Sequence, residues 1–239
     1  MTSGFYLWVY LSTTPLLWLT VTVCVWIIAD RLSVACGRHP AVNPVLIAIA
    51  AIAVLLEATG TPYSRYFEGA QFVHFLLGPA TVAIAVPLFR NSREVRANLL
   101  PMASALLAGG MVAILSALGI AALFGTPTVV LASLAPKSVT AGIAMGIAEQ
   151  LGGEPALTAV LVICTGLIGA IIVTPLMNAL GIKDYAARGF AAGLAAHGLG
   201  TARAFTVDEV AGTFAGIAMG LNAVLTALIV PFALHWFVR

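Results

Sequence analysis

The chain is a succession of long apolar runs separated by short polar stretches. The uninterrupted runs cover residues 6–29, 43–59, 98–124, 155–180 and 210–237. Three further runs, 66–89, 127–149 and 184–205, are apolar but contain glycine, proline or charged residues near the middle. Because a helix needs about 20 apolar residues to cross a membrane, the pattern predicts an all-α polytopic membrane protein with about seven to eight transmembrane segments.

Residues that favour helix ends flank several of these runs. Tyr6 and Trp8 stand at the start of the first run, where membrane proteins place an aromatic belt. A polar loop is predicted at residues 30–40, before the second run. Asn43 followed by Pro44 matches the residues preferred at a helix N-cap and at the first helical position. Asn43 is also a secondary candidate for substrate binding.

Three of the apolar runs are interrupted. The interruptions are Gly78-Pro79, Pro136-Lys137 and His197-Gly198-Leu199-Gly200. Proline removes a backbone donor and ends or kinks a helix. Irregular backbone at membrane depth occurs where it is buried in protein or lines a cavity. The sequence therefore predicts two or three broken or re-entrant helices around a polar site near the membrane midplane.

A weak internal repeat relates two halves of the chain. Asn43-Pro44 and Glu154-Pro155 each open an apolar run, and Gly78-Pro79-Ala80-Thr81 corresponds to Gly198-Leu199-Gly200-Thr201. This correspondence makes Thr81 a second secondary candidate for substrate binding. Interrupted segments at matching positions of two halves indicate a transporter site. We predict one membrane domain, 1–239, composed of 1–40, a half-repeat 41–124, the segment 125–153 that contains Lys137, and a half-repeat 154–239.

Two topologies are open for residues 127–149, which either span the membrane or enter it and return. If the segment spans, Lys183 and Arg188 fall on the side opposite Arg90, Arg93 and Arg96. If it is re-entrant, all five basic residues share one side. Basic residues concentrate in cytoplasmic loops, so the re-entrant topology is preferred, and it makes the two half-repeats inverted.

Composition supports a membrane protein and argues against several other classes. Hydrophobic residues make up 61% of the 239 residues and charged residues 8%, against about 25% charged in soluble domains. The net charge of +2 gives no basis for nucleic-acid binding. The three cysteines have no disulfide or metal-site spacing, and no motif of a soluble enzyme occurs. The expectation is a protein that is not an enzyme and has no cofactor or metal.

Lys137 is the strongest candidate for ligand binding. It is the one charged residue in 127–148 and lies about midway. An unpaired cation in hydrocarbon is costly, so its position beside a proline break predicts an anion-binding role. Ser138 or Thr140 is predicted to cap the following helix, and both are predicted to contact the substrate. The alternative is a lysine whose ammonium group extends to the membrane surface.

The second candidate cluster follows the interruption at 197–200. His197 can bind a carboxylate or carry a coupled proton, Gly200 allows close backbone approach, and Thr201 offers a hydroxyl group. Arg203 has a planar fork that matches a carboxylate. The alternatives are a histidine hydrogen-bonded to a carbonyl and an arginine anchored at the interface beside Asp208.

Several motifs together resemble the LrgB/CidB family. They are Pro136-Lys137-Ser138-Val139-Thr140, Gly152-Gly153-x-Pro155-Ala156-Leu157-Thr158-Ala159, Ala187-Arg188-Gly189 and His197-x-x-Gly200-Thr201-Ala202-Arg203-Ala204. The resemblance runs through most of the chain and is strongest over 130–205. It implies an integral protein of the bacterial inner membrane and a small 2-oxo- or 2-hydroxymonocarboxylate as substrate.

Two functions follow as expectations. The first is a secondary transporter of glycolate, glycerate, pyruvate or lactate that works by alternating access, is coupled to protons through His197 and forms a homodimer in lipid. The second, implied by the resemblance, is a holin- or antiholin-like regulator of murein hydrolases and autolysis. A smaller LrgA/CidA-like membrane protein is the expected partner in the family.

Overall fold

The computed structural model describes residues 15–83 and 85–237, which form helices joined by short loops. In chain order these are α1 (Pro15–Ala35), α2 (Pro44–Thr59), α3 (Tyr63–Phe75), α4 (Leu77–Ala83), α5 (Ala85–Arg90), α6 (Ser92–Ala97), α7 (Leu99–Leu123), α8 (Thr128–Leu134), α9 (Ala141–Gln150), α10 (Pro155–Ala179), α11 (Tyr185–Phe205) and α12 (Glu209–Phe237). No strand occurs in the described ranges. The predicted all-α class is confirmed.

Four helices are long and apolar enough to cross a membrane. They are α1, α7, α10 and α12, and α2 is a shorter apolar helix. The chain is therefore an integral membrane protein, while the predicted count of seven to eight segments stays a prediction. The bounds of α7, α10 and α12 match the predicted runs 98–124, 155–180 and 210–237 within one residue.

Helix α2 begins as its sequence predicts. The Asn43 side chain accepts hydrogen bonds from the amides of Val45 (2.9 Å) and Leu46 (3.3 Å), and Pro44 occupies the first helical position. The helix ends at Gly60, whose left-handed conformation is accessible to glycine at little cost. Asn43 is thus buried and engaged as a helix cap.

The predicted bounds of two segments need correction. Helix α1 continues to Ala35, although a loop was predicted from residue 30, because the first helix-ending residue is Gly37; the predicted residues 6–14 lie outside the described part of the chain. The run 66–89 is divided into α3, α4 and α5. The break falls at Leu76, since Pro79 stands in the first turn of α4, where proline is tolerated.

The chain divides into two compact units, Met1–Ala83 and Ile84–Arg239. In the first unit α1 packs against α2 and α3. Trp18 is fully buried and meets Tyr66 edge to face, and Thr22 donates a hydrogen bond to the Tyr66 hydroxyl group. The half-repeat 41–124 extends over both units, and the internal repeat stays a prediction.

In the second unit α7 and α12 run parallel. Met102 and Phe214, near the two helix starts, belong to one buried cluster. At mid-length Gly110 faces Leu225. Closer to the C-terminal ends of the two helices, Ile114 and Val230 belong to another buried cluster. The same end of the unit therefore contains the starts of both helices.

Helix α11 doubles back on itself. Its backbone is non-helical at Ala196 (φ −123°, ψ 17°) and His197 (φ 42°, ψ −131°). A Cβ atom on Gly200 would overlap the carbonyl oxygen of Ala192, although these residues would be about 12 Å apart in a straight helix. Residues 185–195 and 198–205 are therefore two arms side by side, which we call the α11 hairpin.

The first arm of the α11 hairpin packs in parallel against α12. Cβ atoms on Gly189 and Gly193 would overlap the backbone carbonyls of Ala211 and Ala215, respectively. In these two pairs the residue numbers rise together along both helices, so the first arm and α12 run in the same direction. The hairpin therefore enters the unit from the end where α7 and α12 begin.

Helices α8 and α9 form a second hairpin. The chain leaves α8 at Leu134, and after α9 the Glu154 amide donates a hydrogen bond of 2.7 Å to Ser133 Oγ. Leu131 belongs to the buried cluster near the ends of α7 and α12, and the partly buried Ile147 packs against that cluster. This α8–α9 hairpin therefore enters from the end opposite to the α11 hairpin.

Candidate functional site

A cavity of about 880 Å³ separates α7, α10 and the first arm of the α11 hairpin. Asn98 and Asp184 line it at the end where α7 and α11 begin, and Lys137 and Ser138 line it at the tip of the α8–α9 hairpin. Most of the remaining wall is apolar, including Met102, Gly109, Ile168, Ile172, Leu176, Phe190, Leu194 and Phe214. Among the described lining residues, Lys137 is the only basic one.

The loop that holds Lys137 is fixed by its backbone and its apolar neighbours. The Lys137 amide donates to Leu134 O at 3.1 Å, and the Val139 amide donates to Pro136 O at 3.2 Å. Val139 is buried in a cluster with Val162 of α10. These contacts orient the loop, so the lysine side chain is presented to the cavity from an ordered turn.

The Lys137 ammonium group retains capacity for a ligand. Its Nζ donates a hydrogen bond to Ser138 Oγ at 3.4 Å, the one hydrogen bond that the ammonium group makes in the described structure. An ammonium group has three donors. Cation burial in an apolar surrounding strengthens the attraction for an anion. The arrangement suits one small carboxylate at the inner end of the cavity.

The structure brings Lys137 and Ser138 together but places Thr140 elsewhere. Thr140 occupies the N-cap position of α9, with φ −63° and ψ 146°, and its side chain makes no capping hydrogen bond. The predicted cap of this helix by the hydroxyl group of Ser138 or Thr140 is therefore wrong, since the N-cap residue Thr140 makes no such bond. Thr140 is not among the described residues that line the cavity.

His197 lies behind the cavity wall. Its buried ring places Nε2 3.0 Å from the carbonyl oxygen of Val162. A carbonyl oxygen only accepts, so Nε2 carries the hydrogen and Nδ1 is left as the proton acceptor. Ala195 and Ala196 line the cavity, and His197 is not among its described lining residues.

The other residues of the second cluster are engaged in the α11 hairpin. Gly200 allows the two arms to touch, and Thr201 Oγ1 donates to His197 O at 2.9 Å. Arg203 lines a second, much smaller cavity of about 20 Å³ together with Arg188. In the described structure none of these residues lines the large cavity. The side chain of Thr81 lies outside the described residues.

Sequence reasoning missed Asn222, the polar residue that joins the two hairpins. Its Nδ2 donates to Ser138 O (3.2 Å) and to Leu194 O (3.1 Å), and the residue is 1% exposed. The available signal was an amide side chain near the middle of the apolar run 210–237. Polar groups at that depth need a partner or a role.

The fold and the cavity together define a polytopic, all-helical membrane protein with a half-buried lysine in an apolar cavity. Comparison with known proteins then identifies the family. The LrgB-like family model matches residues 22–236, and the chain belongs to this family. No solved structure matches the chain.

Curated relatives support the same assignment. The chain is 32% identical over 200 residues to the holin-like protein CidB of Staphylococcus epidermidis, covering 84% of this chain and 87% of the relative. It is 31% identical over 222 residues to the holin-like protein CidB of Staphylococcus aureus, covering 93% and 96%. It is 36% identical over 220 residues to YwbG of Bacillus subtilis, covering 91% and 96%.

Proposed function

We propose that this chain is a secondary transporter that moves a small monocarboxylate across the bacterial cytoplasmic membrane by alternating access. One observation carries the proposal. Lys137 lies at the inner end of a largely apolar cavity, at the point where two hairpins from opposite ends of the unit meet. Transporter sites are commonly built in this way from discontinuous helices.

The depth of the site supports transport. Asn222, which contacts both hairpin tips, lies about 20 Å along α12 from Glu209, and α12 is about 42 Å long. The loop that contains Lys137 therefore lies near the mid-length of α12, a membrane-length helix. Both hairpins are then re-entrant, and the unit contains three crossings formed by α7, α10 and α12.

The distribution of charge supports an inward-facing conformation. Arg93, Arg96 and Lys183 lie just before α7 and α11, at the end where the cavity is lined by Asn98 and Asp184. Basic loops face the cytoplasm. The cavity therefore extends from the cytoplasmic end to Lys137, which agrees with the re-entrant topology of residues 127–149.

The cation in the cavity lining supports a small monocarboxylate as the substrate. The Lys137 ammonium group binds the carboxylate, and Ser138 Oγ contacts the 2-oxo or 2-hydroxy oxygen of glycolate, glycerate, pyruvate or lactate. His197 accepts the coupled proton at Nδ1. Thr140, Thr201 and Arg203 do not line the cavity, so their contact with the substrate stays a prediction.

Uptake by purified protein tests the proposal. Proteoliposomes are loaded with unlabelled pyruvate, and the entry of labelled glycolate, glycerate, pyruvate and lactate is measured against protein-free liposomes. We expect saturable exchange of at least one of these acids, inhibited by the others. The absence of saturable exchange for all four acids would refute monocarboxylate transport.

A second function is favoured by the names of the relatives. Both staphylococcal relatives are named holin-like CidB proteins, and these names favour a holin-like regulator over a transporter. We propose this function as the alternative, with an LrgA/CidA-like protein as partner and a homodimer as the assembly. The cavity favours transport. A pore is lined along its whole length, whereas the described lining of this cavity includes no residue from the far ends of α7 and α12.

Leakage separates the two functions. A holin-like assembly releases a trapped fluorescent dye from the same proteoliposomes, alone or with the LrgA/CidA-like partner, and the release shows no saturation. A transporter exchanges acids while the dye is retained. Dye release without acid exchange would establish the alternative.

A further inference from the structure

Asn222 is a polar residue at a buried position, where burial of an amide side chain costs free energy. It lies near the middle of α12 and is 1% exposed, between apolar residues such as Leu221 and Val224. A buried amide that lacks hydrogen bonds loses about 1–3 kcal/mol relative to water. Asn222 is therefore tolerated at this position because of the hydrogen bonds that its side chain makes.

Both donors of the Asn222 amide are used at helix interruptions. One N–H bonds to Ser138 O in the loop between α8 and α9, and the other bonds to Leu194 O at the end of the first α11 arm. In an uninterrupted helix, Leu194 O would accept from residue 198, but the backbone is non-helical at Ala196 and His197. An amide has only two N–H donors, so both donors of the Asn222 side chain are used at the two hairpin tips.

The acceptor of the same amide is left unsatisfied. Asn222 Oδ1 is buried and has no hydrogen-bond partner in the described structure. It faces α7, where a Cβ atom on Gly110 would lie 3.4 Å from it. Reversing the amide would point the oxygen at two carbonyls, which only accept. The orientation of the amide is therefore fixed by its two donor bonds, at the cost of a buried acceptor.

We propose that Asn222 is a positioning residue of the transport site, which acts by holding the Lys137 loop against the tip of the α11 hairpin. This inference rests on the proposed function. Ser138 O belongs to the residue next to Lys137, so the bond from Asn222 sets where the ammonium group lies in the cavity. Leu194 and Ala195 also line the cavity, so the same amide ties the Lys137 loop to a second part of the cavity wall.

The proposal predicts an effect on substrate affinity through Lys137. Asn222→Ala removes both bonds and raises KM for the exchanged acid about tenfold or more, while the turnover number changes less. Asn222→Ser keeps one hydroxyl donor and gives a smaller rise in KM. The matched control is Thr226→Val, which removes a buried hydroxyl group one turn further along α12 and leaves KM within about twofold.

A double-mutant cycle separates positioning from a merely structural role. Lys137→Gln keeps a neutral donor, so exchange remains measurable. If Asn222 acts through Lys137, Asn222→Ser raises KM less in the Lys137→Gln background than in wild type, whereas Thr226→Val has the same effect in both backgrounds. Equal effects of Asn222→Ser in both backgrounds would overturn the proposal.

The remaining outcomes are also decisive. Unchanged KM in folded Asn222→Ser and Asn222→Ala protein would overturn the proposal. So would failure of both variants to fold while Thr226→Val folds, because the amide would then serve the fold rather than the site. If Lys137→Gln leaves KM unchanged, the proposed function itself fails, and that result is distinguishable from failure at Asn222.

Discussion

The α8–α9 hairpin and the α11 hairpin differ in what they do with the polar residues at their tips. The α8–α9 hairpin presents Lys137 to a cavity, where Ser138 Oγ is the one hydrogen-bond partner of the lysine ammonium group in the described structure. The α11 hairpin buries His197 against Val162 O and directs Thr201 to its own backbone. A polar residue at a helix interruption is therefore a ligand candidate only when the surrounding backbone leaves it unsatisfied.

The two hairpins also differ in their packing. In the α11 hairpin, Gly189, Gly193 and Gly200 each stand where a Cβ atom would overlap a neighbouring carbonyl. In α9, Cβ atoms on Gly142 and Gly146 would meet nothing within 4 Å. The α11 hairpin is thus closely packed against α12, whereas the positions of Gly142 and Gly146 in α9 have space for a larger side chain.

The largest expected effect concerns the ends from which the hairpins enter. Single cysteines at Ser92, Lys183 and Gln150, in protein whose native cysteines are replaced by serine, are treated with a membrane-impermeant maleimide. We expect Ser92 and Lys183 to react only from the cytoplasmic side, because they lie at the basic end, and Gln150 only from the other side. Opposite sidedness for Ser92 and Lys183 would show that residues 127–149 span the membrane.

The packing difference predicts opposite effects of one substitution in the two hairpins. Gly200→Ala places a Cβ atom on the Ala192 carbonyl and lowers the free energy of unfolding by about 1–3 kcal/mol. Gly146→Ala, the matched control, raises it by up to about 1 kcal/mol, since alanine favours the helix and the space is open. Thermal unfolding in detergent measures both. Equal changes in stability for Gly200→Ala and Gly146→Ala would contradict the difference in packing between the two hairpins.

A smaller effect is expected at His197, the buried polar group of the α11 hairpin. A glutamine side chain can donate to Val162 O in place of Nε2 but cannot take up a proton. His197→Gln should therefore retain exchange of acid for acid and lose accumulation driven by an inward proton gradient. Both are measured in the same proteoliposomes. Wild-type accumulation by the variant would leave His197 with a structural role alone.

Much of the fold could be predicted because local sequence decides it. Asn43 and Pro44 cap α2 through neighbouring amides, and membrane-length apolar runs become α7, α10 and α12 with almost unchanged bounds. The end of α1 was placed too early because the polar residues Asp30 and Arg31 suggested a loop. Those residues continue the helix, and Asp30 pairs with Arg38 after the turn at Gly37.

The site could be predicted only in part. Lys137 and Ser138 were found because a charge beside a proline stands out in an apolar run. The burial of His197 depends on α10, whose Val162 carbonyl lies 35 residues away in sequence, and Asn222 joins residues 28 and 84 positions away. Contacts of that range depend on how helices pack, which a single sequence does not reveal.

The central claim is that Lys137 is the cation that binds the transported carboxylate, and exchange kinetics test it most directly. The chain contains two lysines, so Lys183→Ala is a matched control for Lys137→Ala. Loss of a charge-assisted hydrogen bond costs about 1.5–3 kcal/mol, so Lys137→Ala should raise KM at least about tenfold. Lys183→Ala, at an exposed position, should exchange pyruvate like wild type. Wild-type kinetics in folded Lys137→Ala protein would contradict the account.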